Sequence, residues 1–460
     1  MSENKSIPNL FKVGEIPTNY LTRLESSVIS PVIVNNEFIR FIVPSKGFFH
    51  NNSEIVFQTE ALAEDKFFSM GVGVMSLIER AVLKTGGKEI QSISDFSHYQ
   101  SYRSSFLSGE SVKQREMVKS GRQVVMTPRM SNSFTISSGT YHNNYESTGL
   151  AMINNNEYSS TSLEAPEYTN LRNSPQMTIA IKDLFPLFQL TEQIPTYYLN
   201  ESNPLTIELT LSPMGKRYVK KAGAGVDNPK INTSEIQLLA DFVFYDQDVM
   251  ERHRRENPTF TVGYVDYQLA KQSITRASGK NQIRSIGGAG RIVTRIFSML
   301  VDDTASDESI IGVQNAEGVL STITPDDFVA SINGSFTTNI KYNGEFLYPL
   351  DVNNKALQYN LVSKSQGSPL YVNKEMYDGS IKFMDESVFF EGNQQAVNLR
   401  NQFFYQCHRL NGNERINSRG IEIYYQYNQL ADQTFTQHVY LELVKTFTID
   451  EDGFGTCYFN

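Results

Sequence analysis

The sequence predicts an all-β protein of two similar sandwich domains, and three observations carry that prediction. Phe and Tyr dominate the apolar content, with 29 Phe, 24 Tyr and no Trp; both favour strands and bury large areas. The apolar runs are short, and Asn, Ser, Thr and Gly separate them, which is turn chemistry. The order of features in the first half recurs in the second. At 460 residues the chain exceeds the roughly 250–300 at which a single core stops growing, so two domains are expected. Hydrophobic residues at 40% and charged residues at 20% supply two cores and argue against disorder.

The strand signals come in order. FIRFIVP (38–44) and SEIVF (53–57) are short β-rich runs. SLIERAVLKTGGKEIQSI (76–93) reads as strand, turn at Gly86-Gly87, strand. SDFSHYQSYRSSF (94–106) reads as a helix, with Phe96, Tyr99, Tyr102 and Phe106 spaced by three and four on one stripe. Residues 107–175 form a long polar excursion; loops of that length carry function or are ordered by neighbours. QMTIAIKDLFPLF (176–188), PLTIELTL (204–211) and EIQLLADFVFYD (235–246) read as strands, the second alternating on Ile207, Leu209 and Leu211. In the second half, GRIVTRIFSMLVD (290–302) is a strand. FTTNIKYNGEFLYPLDV (336–352) is a hairpin turning at Asn343-Gly344. RGIEIYYQY (419–427) and HVYLELVKTFTID (438–450) are two closing strands.

Each half thus runs from a Gly-turn hairpin through a polar excursion to two closing strands. Gly87 and Gly344 lie 257 positions apart, and Ile207 and Ile421 lie 214 apart. A duplicated β-domain explains this loose period more simply than one irregular fold. Two-sheet jelly rolls suit many short strands joined by long loops. The expected division is a first roll over 1–246 and a second over 259–460. Between them DQDVMERHRRENP breaks the β pattern with charge and ends on Asn-Pro, placing a linker at 247–258.

Composition excludes several classes. A net charge of −9 and a mixed-sign N-terminus do not describe a nucleic-acid gripping arm. Cys407 and Cys457 are the two cysteines; they make neither a disulfide framework nor a zinc set, and whether they pair is open. Residues 1–20 lack a signal-peptide pattern, and no run approaches the roughly 18 apolar residues of a membrane helix. A soluble chain made in the cytosol is expected.

Catalytic motifs are absent: no GxSxG, HExxH or GxxxxGK[ST] occurs. Lys88 is followed by Glu89, so Gly86-Gly87 is a hairpin turn and not a phosphate loop. His50, His98, His142, His253, His408 and His438 are scattered without ligand spacing, and Cys407-His408 point to opposite faces of a strand. No cofactor, metal or catalytic residue is expected. The acidic groups Asp302-Asp303, Asp307-Glu308 and Asp450-Glu451-Asp452 read as solvated surface before calcium loops. Ile286-Gly287-Gly288-Ala289-Gly290 has the small-residue composition that suits an extended chain in a protease cleft, but reads first as a flexible loop, since cleavage there would split a domain.

Three segments then carry a resemblance. FTTNIKYNGEFLYPLDVNNKALQYNLVSKS (336–365), SLIERAVLKTGGKEIQSISDFSHYQSY (76–102) and KDLFPLFQLTEQIPTYYLNESNPLTIELTL (182–211) resemble segments of the major capsid proteins of virophages and polinton-like viruses, in the same order and in both halves. The resemblance implies a double jelly-roll shell protein with no enzymatic activity. Its rolls would stand upright, three copies forming a homotrimeric, pseudo-hexagonal capsomer that tiles an icosahedral shell. Implied partners are neighbouring capsomers and a single jelly-roll penton protein at the vertices, and the implied location is the virion. Two basic patches, Lys216, Arg217, Lys220 and Lys221 in a Gly-rich loop and Arg252, Arg254 and Arg255 at the junction, are candidates for non-specific contact with packaged DNA. Flanking Glu251 and Glu256 offer the plainer reading of local ion pairs. Other classes are a virion-associated glycan-binding or spike β-protein, and a carbohydrate-active enzyme, for which the sequence offers no acid pair.

Overall fold

The structure, a computed structural model, describes residues 23–61, 66–67, 73–107, 119–120, 174, 176–212, 219–221, 230–274, 282–302, 310–311, 335–352, 357, 360–361, 364–365, 405–410, 412, 414–428 and 435–460. Most of the polar excursion, His142, Lys216, Arg217, Asp303, Asp307 and Glu308 lie outside them.

Eight principal strands build the first half: β1 (Arg23–Ile29), β2 (Phe38–Val43), β3 (Glu54–Gln58), β4 (Ile78–Thr85), β5 (Lys88–Ser94), β6 (Gln176–Ala180), β7 (Leu205–Leu211) and β8 (Gln237–Phe244). They pair antiparallel in two sheets, β1-β8-β3-β6 and β2-β7-β4-β5. The second half repeats the pattern with β9 (Phe260–Ile274), β10 (Gln282–Gly287), β11 (Val293–Asp302), β12 (Ser335–Tyr342), β13 (Glu345–Phe346), β14 (Tyr405–Arg409), β15 (Ile421–Asn428) and β16 (Phe435–Ile449). Its sheets are β9-β16-β11-β14 and β10-β15-β12-β13. Adding eight to each strand number of the first half gives the second. Within each half the strands pair first with eighth, second with seventh, third with sixth and fourth with fifth. That is one long hairpin rolled up, the jelly roll. A last strand, β17 (Gly455–Phe459), extends the sheet along β16.

Alternation places the cores. In the first roll Ile39, Phe41 and Val43 of β2, Ile207 and Leu209 of β7, and Leu238, Ala240 and Phe242 of β8 are buried and meet between the sheets. On the outer face of β7, Glu208 takes Arg40 Nη2 at 2.7 Å and Lys84 Nζ at 2.5 Å from the flanking strands. In the second roll β16 is buried on both faces. Val439, Leu441 and Leu443 alternate with His438, Tyr440 and Glu442, and all six are at most 5% exposed. A strand covered on both sides loses its period-2 contrast.

The hairpin turns sit where glycine chemistry requires them. Gly86 has φ +50°, and a Cβ there would lie 2.2 Å from Asn203 Oδ1. Asn343 (φ 52°) and Gly344 (φ 91°) make the matching turn in the second roll, both residues in the left-handed region that such hairpins need.

Four sequence expectations are corrected. The strand expected over 176–188 stops at Ala180. The chain continues as two helical turns, α2 (Ile181–Leu184) and α3 (Leu187–Leu190), which follow α1 (Phe96–Leu107). Pro186 separates them, and Ile181, Leu184, Leu187 and Phe188 pack inward at helical spacing. The junction is a helix, α4 (Gln247–Glu256), with Asp248 in its first turn and His253, Arg254 and Arg255 in its last, the arrangement that complements the helix dipole. Lys220 and Lys221 lie in a short strand, Val219–Lys221, that pairs with Lys66–Phe67 and Ile310–Ile311. Finally, 286–290 is a fixed turn: Gly287, Gly288 and Gly290 have positive φ, and Gly290 N donates to Ile416 O at 2.8 Å.

Candidate functional site: the seam between the two sandwiches

The buried residues of both rolls form one continuous cluster, so the seam between them is part of the core. From the first roll come β5, Asp95 and α1; from the second come β9, β16 and β17. Gln91, fully buried, donates to Val265 O at 2.8 Å and accepts from Leu187 N at 3.2 Å. Tyr264 donates to Ile90 O across the seam, and Tyr440 donates to Asp95 O at 3.1 Å. Tyr99 of α1 packs at tilted angles among Tyr267, Phe297 and Tyr440, with ring centroids 4.8, 6.3 and 5.8 Å away. Phe96 and Tyr99 of the helical stripe are buried as the spacing predicts; the side chains of Tyr102 and Phe106 lie outside the described residues.

Charges in the seam are paired. Lys445 bonds Asp266, both under 10% exposed, yet burial outweighs that pull and raises the Asp266 carboxyl above its ordinary value. Glu442 accepts from Arg295 Nε at 2.8 Å and Nη2 at 2.6 Å, from Tyr267 at 3.0 Å and from Thr294 at 2.5 Å. Asp95 takes the ammonium of Lys271, with His438 Nδ1 at 3.4 Å and the His98 ring 4.9 Å from that of His438. Burial would raise the Asp95 carboxyl, but a hydrogen bond from Glu79, His438 and Lys271 together hold it below the usual range. Burial, and then His98, push the His438 imidazole well down, so it is neutral near pH 7.

A second region lies at the junction helix. A cavity of about 550 Å³ is lined by Phe48, Tyr198, Tyr245, His253, Glu256 and Phe260 among others. His253 Nδ1 sits 3.1 and 2.9 Å from the phenol oxygens of Tyr197 and Tyr198. Burial lowers the His253 imidazole and raises the Tyr197, Tyr198 and Tyr245 phenols, so all four are neutral near pH 7. This is a joint of neutral aromatic groups with the His253 nitrogen within hydrogen-bond reach of two phenols. Arg252, Arg254 and Arg255 project outward and are exposed; Arg254 lies over the Tyr198 ring at 5.6 Å, and Arg255 reaches Glu251 at 4.0 Å.

The remaining candidates resolve locally. Cys407 and Cys457 are free thiols. Cys407 and His408 are both buried, and His408 Nδ1 lies 2.8 Å from the Tyr348 hydroxyl. Asp450 shapes the β16–β17 turn, accepting from Phe454 N at 2.7 Å. No helix among the described residues is long and apolar enough to cross a membrane. One surface was invisible to sequence reasoning. Among the described residues β1 is the edge strand of its sheet, and it presents Leu24 (64% exposed) and Val28 (62%) outward, the latter opposite Leu239.

No protein-family model matches the chain, and no curated protein matches it by sequence. Solved structures do match it. VP54 of PBCV-1, fitted into a reconstruction of the virophage Sputnik, superposes with a TM-score of 0.56 at 11% identity over 98% of this chain and 100% of that one. The Faustovirus major capsid protein gives 0.53 at 10% identity, over 94% and 91%. The mavirus major capsid protein gives 0.52 at 12% identity, over 96% and 91%. At such identities the likeness is one of fold, the double jelly roll, and it runs the length of the chain.

Proposed function

We propose that this chain is the major capsid protein of a small icosahedral DNA virus, and that three copies form a pseudo-hexagonal capsomer. One observation carries the reading: both halves have the same strand order, so each chain supplies two near-equivalent units, and three chains supply six. Six similar units fill a hexagonal lattice while only three chains need placing. The continuous core at the seam holds each pair as one rigid block. We take 1–246 and 259–460 as the two rolls and 247–258 as the junction.

The role is structural and not enzymatic, and the site of action is the virion shell. The neutral aromatic joint at α4 and the paired charges of the seam suit a building block. The open edge at β1, with Leu24 and Val28 outward, suits contact with a neighbouring subunit, since exposed apolar edges are otherwise an aggregation hazard. A single jelly-roll penton protein at the vertices and non-specific contact of DNA with Arg252, Arg254, Arg255, Lys216, Arg217, Lys220 and Lys221 complete the proposal.

Light scattering of the purified chain tests it. The expected mass is three times the 52.1 kDa of one chain, unchanged on dilution through the micromolar range, as an obligate assembly behaves. A monomer at those concentrations overturns the capsomer.

A further inference from the structure

Asp95, His98 and His438 bring one carboxylate and two imidazoles together across the seam, with one ligand atom of each within 4.8 Å of the others. We propose that these three side chains form a binding site for a divalent transition metal of the zinc class, which clasps the first sandwich to the second.

The geometry supports the assignment. A tetrahedral zinc with ligands at roughly 2.0–2.1 Å sets neighbouring ligand atoms about 3.3–3.4 Å apart. Asp95 Oδ2 and His438 Nδ1 stand 3.4 Å apart. His438 Nδ1 is buried and makes no hydrogen bond among the described residues. A buried imidazole nitrogen without a hydrogen bond leaves its desolvation uncompensated, and such groups call for an explanation. Asp95 is fixed by its backbone, with φ 49° and its carbonyl taking the Tyr440 hydroxyl.

Lys271 accounts for the charge. Its ammonium rests on Asp95, in the position a cation takes there. The side chain is 51% exposed, and it borders an open cavity of about 470 Å³. It therefore has room to withdraw when a metal arrives. Two imidazoles and one carboxylate leave a fourth tetrahedral position for water. Asp95 and His98 belong to the first roll and His438 to the second, so binding couples metal affinity to the docking of the halves.

Cobalt(II), added to the purified full-length chain in a non-chelating buffer at neutral pH, is the probe. The expected result is one cobalt per chain, with the intense visible bands of four-coordinate geometry, displaced by zinc. His438→Gln and His98→Gln, checked for unchanged circular dichroism and assembly state, should each weaken binding at least about 10-fold, the loss usual for a ligand or its support. Lys271→Met removes the competing ammonium at a half-exposed position and should tighten binding by about 10-fold. Absence of the bands, bands unchanged in His438→Gln, or no tightening in Lys271→Met would each overturn the site. The lysine variant decides the matter even if a histidine variant fails to fold.

Discussion

Glu442 sits almost wholly out of water in the middle of β16, held by Arg295, Tyr267 and Thr294. Burial would lower the Arg295 guanidinium, but Glu442 more than compensates and raises it above its ordinary value. Removing one member of such a pair leaves the other charge uncompensated, a loss of about 3–5 kcal/mol. Glu442→Ala should therefore lower stability by about that amount in denaturant titration, and Glu442→Gln by less; an unchanged midpoint would deny the network its role. His408 makes a pH prediction. Burial pushes its imidazole down to about 3 from the ordinary 6.5. The folded chain keeps it neutral while the unfolded chain protonates it, so its contribution is complete above pH 6.5. Below that it is lost at about 1.4 kcal/mol per pH unit until the folded value is reached. Glu208 acts lower on the scale. Burial alone would raise it, but Lys84 and Arg40 hold it below 4.5, so its share is present above that value and lost as pH falls through its folded pKa. Melting temperature should fall steadily from pH 6.5 to 4.5, and His408→Gln should flatten part of that slope.

Among the elements, those with one wet face were legible. β7 alternates on Ile207, Leu209 and Leu211, and the two Gly-turn hairpins announce themselves by Gly86-Gly87 and Asn343-Gly344. β1 was not legible, because its outward Leu24 and Val28 erase the contrast that alternation needs. β9 was hidden for the opposite reason. Its Asp266 and Tyr264 look like surface residues, yet they are buried against Lys445 and Ile90. The β16–β17 turn offers a test of the seam at this scale. Gly453 has φ +81°, and a Cβ there would lie 2.7 Å from Asn200 N and Tyr198 O of the first roll. Asn200 N in turn donates to Gly453 O at 3.2 Å. Gly453→Ala should cost at least about 1–2 kcal/mol for the left-handed backbone alone, with the clash added, seen as a lower denaturation midpoint. Gly344→Ala has the same backbone penalty but open space around it, so it should cost less.

In the whole molecule, the repeated strand order makes two units from one chain, and the shared core makes those two units one block. The doubling could be read from the sequence, since Gly87 and Gly344 both join a fourth strand to a fifth, and Ile207 and Ile421 both lie on a seventh. The seam could not. His98 and His438 are 340 positions apart, and only the docking of α1 beneath β16 brings them together. The capsid reading rests on three such blocks packing side by side. Negative-stain microscopy of the purified chain tests that claim most directly. Class averages with threefold symmetry, a hexagonal outline and six similar density lobes are expected. Isolated two-lobed particles, at concentrations where shell proteins assemble, would contradict it.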